Sequence, residues 1–529
     1  MAIKIDQFSG IAPKISPDKL PGNAAVIAQN CRVDRGSLRP IKAPSLVATL
    51  PNTANSIFYY DQSSMWLYWN TTGIDVALSP VSLDAYSRFY WTGEAYPMYS
   101  YQGRPSANLP NGFKLGVPAP GNAPTVGKSG TITGTPEDRY YVFTYVTPIG
   151  EEGPPSAPSS VISVTTTETV TLNFIADSLT SYNLGAGALR RIYRTVQGTS
   201  GTQYQFVKDI PIATLTTTDA LLDAQTGELL PSAGYFPPPT DLQGIKATPN
   251  GYLVGFTGNT LCPSEAFLPH AWNPANQISF PSPVTGLAIT GDSIVVFTKE
   301  MPYLVTGTTP DSLSAIQIDH PQTCANKASI VNMGGYAMFV SPDGICSVSA
   351  NDLIVATKNF YTREQWQAFT PSTAKAFFYE GIYIVFTSGV ALMFDVREQP
   401  AILTQITGYS FVSGYQDLQT DTLYLLEAST GKVYSWETGS SLTAAWKTKP
   451  VRVQHPTCPA AARIFATGPV TVQLWADGSS VFGPTTISDS NPFRLPSGYR
   501  AMEFQAQVQV SSGVEVQSLT IADALAELQ

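Results

Sequence analysis

At 529 residues the chain is longer than one ordinary core, and a prior of about 150 residues per domain points to about three domains. Only 13% of the residues are charged and the net charge is -9, which excludes a surface that grips nucleic acid through clustered Lys and Arg, though not DNA passing by unheld. Five dispersed cysteines, Cys31, Cys262, Cys324, Cys346 and Cys458, form no CxxC pair, so buried free thiols are expected rather than a zinc ribbon or a disulfide framework.

The N-terminus MAIKIDQFSG lacks the regions of a secretory signal, and the apolar stretch 381–394 is too short and too broken to span a bilayer, so no membrane segment is expected. The first forty residues, rich in Pro and Gly, read as an extended arm lying on another surface. SIFYYDQSSMWLYWN from Ser56 and YSRFYWTGEAYPMYS from Tyr86 then give aromatic strands, an early propeller blade completed in space by strands from the far end of the chain. The linker GVPAPGNAPT from Gly116 closes this first segment, 1–115.

In DRYYVFTYVTPIGEEGPPSAPSS, Tyr141, Phe143 and Tyr145 alternate with Val142 and Thr144, and short strands follow at sandwich spacing. Residues 123–240 are therefore expected to form an inserted immunoglobulin-like or fibronectin-III-like domain, ended by FPPPT at Phe236.

Five hairpin phrases come next: GYLVGFTGNTLCPSE, DSIVVFTKEMPYLV, YAMFVSPDGICSVS, IYIVFTSGVALMFD and LYLLEASTGKVYSW. Their strand ends, Phe256, Phe297, Val340, Phe386 and Glu427, recur every 41 to 46 residues, the length of a four-stranded propeller blade. The main β-propeller blades are accordingly assigned to 241–447. A short helix is expected within YTREQWQAFTP, where Thr362 and Gln365 have capping-box spacing. In 448–529 the alternation of MEFQAQVQV and the Asp477-Gly478 turn predict a C-terminal β-sandwich. The expected fold class is thus all-β.

Chemistry-bearing constellations are sparse. His270, His320 and His455 are isolated in sequence and read as structural residues, and no nucleophile elbow, phosphate loop or metal motif is present. No catalytic, cofactor-binding or metal site is assigned. Two basic clusters, Arg190, Arg191 and Arg194, and Lys447, Lys449 and Arg452, are either solvated strand faces or contacts to an acidic neighbouring subunit. Glu137, Asp138, Glu151 and Glu152 either face a lumen or keep a loop soluble.

Several phrases carry a resemblance: FSGIAPKISPDKLPGNAAVIAQNCRVDRGSLRP, SEAFLPHAW, MPYLVTGTTPDSLS, SPDGICSV, YTREQW and PFRLPSGYRA. They are similar to phrases of bacteriophage virion proteins, and the chain resembles the tail nozzle, or tail tubular, proteins of short-tailed phages. The resemblance implies a non-enzymatic propeller subunit, made in the host cytoplasm and built into the virion tail. It further implies a homo-oligomeric ring, typically a hexamer, below the portal and head-to-tail adaptor ring, with tail fibres or a tail needle as further partners. Such a ring retains the packaged genome and conducts double-stranded DNA during ejection without binding it specifically. The competing reading is a virion-tip carbohydrate or receptor-binding module with stacking aromatics such as WLYWN at Trp66. A third, a propeller glycosidase, requires converging carboxylates.

Overall fold

A computed structural model describes residues 2–198, 201–350 and 352–528. Almost every element in it is a strand, and the apolar alternation of the repeated hairpins sets their arrangement. Each repeat phrase forms the middle two strands of a four-stranded antiparallel unit, and the unit of the fourth phrase continues through a parallel bridge, Gln29 with Gln405, into a ten-stranded sheet with the C-terminal strands. Blade 3 holds Gln243–Ala247, Leu253–Thr257, Thr260–Pro263 and Ile278–Ser279; blade 4 holds Val284–Thr290, Ser293–Thr298, Tyr303–Thr306 and Ser314–Gln317. Blade 5 runs from Val331–Asn332 to Leu353–Val355, and blade 6 from Lys375–Tyr379 to Ile402–Ile406. Blade 7 contains Phe411–Asp417, Thr422–Glu427 and Lys432–Ser435, with Ser45–Thr49 added as its outer strand. Two earlier units precede these: blade 1, the hairpin Ser56–Tyr60 and Met65–Trp69, and blade 2, from Asp75–Leu78 to Phe113–Lys114.

The middle strands are buried on both faces, and period-two alternation sends neighbouring residues into different cores. Ile382, Ile384 and Phe386 pack against Phe411 and Leu425 of blade 7, whereas Tyr383 and Val385 pack with Met338 and Val340 of blade 5. Ala337 and Phe339 in turn meet Val295 and Phe297 of blade 4. Analogous shared cores join blades 3 and 4, 2 and 3, 1 and 2, and 7 and 1. Seven junctions for seven sheets close a propeller ring. The N-terminal hairpins therefore supply two units. The far-end completion runs opposite to the expected direction: an early strand finishes the last blade, and the outer edge of blade 1 is met, among the described residues, by Asn108, whose O accepts from Tyr68 N and whose Nδ2 donates to Trp66 O.

Lys327, in the turn leading into blade 5, donates to Gly73 O at 2.7 Å and to Asp75 at the start of blade 2. Blades 3 and 4 lie between these two in ring order, so this ion pair spans the middle of the ring at one end.

The arm is stitched into its own chain. Ala2–Ile5 pairs with Val516–Ala522, and Ala25–Gln29 pairs with Ala444–Thr448. Between them Ile11 N donates to Leu403 O, and Trp446 Nε1 donates to Ser9 O. Two C-terminal sheets, one built on Ala501–Val510 and one on Val516–Ala522, share a core that includes Val472, Leu474, Val508, Ile464 and Ile521. Asp477 and Gly478 both have positive φ at the expected hairpin turn, and Thr362 caps the helix Arg363–Gln367 through Gln365. The cysteines are free, four of them buried.

The insert leaves the ring after Lys114 and returns before Gln243. A Cβ on Gly116 would lie 2.7 Å from Pro237 Cα, so its two connections touch. Its sheets, among them Tyr141–Val146 with Leu189–Gly198 and Glu168–Asn173 with Thr125–Gly130, enclose a core of Tyr141, Phe143, Val170, Leu172 and Ile192.

Candidate functional site: a buried charged junction

The turn Thr147–Glu152 is where the insert meets the ring. Gly150 adopts φ +85°, and Thr147 holds the turn by accepting from Gly150 N and Glu151 N. Because successive residues of an extended segment point to opposite sides, the two adjacent glutamates separate. Glu151 turns to the ring, where Arg88 Nη1 donates to it at 2.9 Å and Tyr99 Oη at 3.0 Å. Glu152 turns into the insert, accepting from Thr144 at 2.9 Å, Tyr193 Oη at 2.8 Å, Arg191 at 3.0 Å and Ser232 at 3.0 Å.

Arg88 also pairs with Asp84 at 2.8 Å, and Arg191 with Asp209 at 2.9 Å, so each guanidinium bridges two carboxylates. His270 of blade 3 lies with Nδ1 4.0 Å from Glu151. Burial holds its pKa below the ordinary 6.5, against the pull of Glu151. Burial, reinforced by Glu151, drives the Tyr99 phenol well above its usual value, and burial with Glu152 does the same for Tyr193. Chemically the junction is a clamp on one side: Arg88 and Tyr99 of the ring hold Glu151 of the insert, while Glu152 is held within the insert by Thr144, Arg191, Tyr193 and Ser232.

The positions singled out from sequence fall in different places. Glu151 and Glu152 are 3% and 6% exposed, which corrects their reading as lumen or loop-solubilising residues. Glu137 is half-exposed beside Arg139, and Asp138 accepts from Ser163, so only these two remain at the surface.

Arg190 and Arg194, 2% and 0% exposed, are neither solvated nor available to a neighbouring subunit. In LRRIYRTV they share the core face with Ile192. Arg190 gives hydrogen bonds to the carbonyls of Ile212 and Thr214 beneath Phe143 and Phe174, and Arg194 lies between Asp219 at 3.3 Å and Asp223 at 2.7 Å. Arg191 alone of the three reaches the junction. Lys447 lies 3.8 Å over the Trp475 ring, and Lys449 donates to Leu20 O, fastening the arm. Arg452, 70% exposed, pairs with Glu503. Trp66 packs against Tyr59 and Tyr424 at the contact of blades 7 and 1. Tyr99, His270 and Ser232 had no local signal, because each comes singly from a different element; Asp84 and Arg88 stand four residues apart in one loop.

Among the described residues no group of three or more His, Cys, Asp or Glu side chains is placed to hold a metal ion, and no helix is long and apolar enough to cross a membrane.

No protein-family model matches the chain, and no curated protein matches it. Among solved structures it is similar to virginiamycin B lyase from Staphylococcus aureus, at 9% identity and TM-score 0.30, covering 70% of this chain and 95% of that one. It is also similar to a streptogramin B lyase, at 10% identity and TM-score 0.26, covering 59% and 97%. The propeller domain of Cps50 (Swd1) from Myceliophteria thermophila follows at 10% identity and TM-score 0.23, covering 46% and 92%. At such scores these likenesses carry no argument about activity, and the propeller rests on strand order and shared cores.

Proposed function

We propose that this chain is a non-enzymatic structural subunit of the tail nozzle of a short-tailed bacteriophage. Copies assemble into a ring, a hexamer, that extends the DNA channel below the portal and adaptor ring, retains the packaged genome and conducts it during ejection. The insert is read as an immunoglobulin- or fibronectin-III-like domain and 448–529 as a β-sandwich; together with the propeller they offer the two unlike patches a head-to-tail ring requires. Fibres or a needle dock on the finished ring, in the virion tail.

The observation that carries the reading is mechanical. The N-terminal arm is paired into the C-terminal sheets, and the insert is held to the ring through Glu151, which supports a rigid wall element. The acidic balance supports it too, since a conduit rich in Lys and Arg would retard passing phosphates. The conduit is read as lying between copies, with the Lys327–Asp75 pair reaching across one end of the ring of blades.

Light scattering on the purified chain and cryo-electron microscopy of the virion test this. A closed multi-copy ring with a duplex-wide channel is expected. A strict monomer, with no corresponding ring in the particle, would overturn it.

A further inference from the structure

A cleft of about 660 Å³ opens between the insert and blade 2. Three half-buried aromatic rings line it, Tyr101 and Phe113 from blade 2 and Tyr182 from the insert. Arg104 lies over Phe113, its Cζ 3.8 Å from the ring centroid and 5.6 Å from that of Tyr101. Its Nε donates to Asn111 O, and no carboxylate among the described residues pairs with it. Arg104 is half-buried and, like Arg190 in the same cleft, is held through carbonyl oxygens rather than by an acid. Across the cleft, Asp177 accepts from Tyr145 Oη at 2.5 Å and Gly121 N at 3.2 Å, which fixes one carboxylate on the rim, and Asn183 is buried in the wall.

These groups have a common use. Aromatic faces accept the apolar C–H face of a pyranose ring, while a side-chain amide and a fixed carboxylate meet its hydroxyls. An uncommitted planar guanidinium matches a carboxylate in bidentate fashion. We propose that this cleft binds an acidic saccharide, a uronic-acid-bearing oligosaccharide. Tyr101 and Tyr182 stack on the sugar, and Arg104, propped by Phe113, pairs with its carboxylate. The site does not depend on ring assembly, so its failure leaves the conduit reading untouched.

The test is calorimetric titration of the full chain with trigalacturonate and, separately, with neutral maltotriose. Saturable binding of trigalacturonate is expected, about tenfold or more tighter than maltotriose, the equivalent of one charge-assisted contact. Arg104→Gln removes that preference, and Tyr182→Ala weakens trigalacturonate about tenfold. Thermal melting checks that each variant is folded. Should Tyr182→Ala fail to fold, Arg104→Gln and the acid-against-neutral comparison on the unaltered chain still decide. The absence of saturable trigalacturonate binding at millimolar concentration, or an unchanged preference in Arg104→Gln, would overturn the proposal.

Discussion

Glu151 and Glu152 are neighbours in the chain and serve opposite partners, so substituting Glu151 tests the clamp by itself. Glu151→Ala leaves Arg88 with Asp84 alone and uncovers Tyr99; removing one partner of a buried pair costs roughly 3 kcal/mol, read as a fall in the urea midpoint. His270 gives the junction a pH dependence of known sign. Its folded pKa lies below the ordinary 6.5, so above that pH its burial is without penalty. As pH falls below about 6.5 the unfolded chain takes up a proton that the folded one resists, and stability declines. The carboxylates with depressed values, Asp84 among them, act only at lower pH. Urea midpoints from pH 7 to 5 are expected to fall in the native chain and to flatten in His270→Gln; an unchanged slope would remove His270 from this role. At this scale the sequence was least legible. LRRIYRTV looks like a charge run, yet its alternation already aligns Arg190 and Arg194 with Ile192 on the buried face. The clamp residues had no such local clue.

At the scale of elements, local rules governed what was readable. The repeated hairpins, the capped helix at Thr362 and the Asp477-Gly478 turn are specified by residues adjacent in sequence. Gly478 has φ +80° with open space around its Cβ position, so Gly478→Ala carries only conformational strain, about 1 kcal/mol in thermal denaturation. Gly10 is the contrasting case: a Cβ there would lie 2.3 Å from Leu403 O. Gly10→Ala is expected to unseat the arm and to cost more than Gly478→Ala, with limited proteolysis cutting within residues 6–24 as the accompanying sign. The arm itself was unreadable as sheet because its partners, Ala444–Thr448 and Val516–Ala522, lie more than four hundred residues away.

For the whole molecule, the touching connections at Gly116 and Pro237 make the insert separable in principle, while the clamp makes it costly in practice. Replacing 118–235 by a short Gly-Ser linker is expected to leave a folded ring of blades by circular dichroism, with a lower melting temperature because Tyr99 and His270 lose their cover. Loss of all cooperative unfolding would mean that the insert is part of the ring's own core. Blade number follows from shared cores that no single hairpin phrase reveals, since each junction draws alternate residues from two blades.

The outer strand Ser45–Thr49 bears on how the protein is made. It leaves the ribosome early, but its partner Lys432–Ser435 emerges only after nearly four hundred further residues, and the mate of Ala2–Ile5 later still. Until then Ala2–Ile5 and Ser45–Thr49 wait with unpaired backbone, exposed to pairing with other nascent copies. Pairing of this segment therefore waits for distant parts of the chain, and where many copies are made at once it is where premature association between chains would begin.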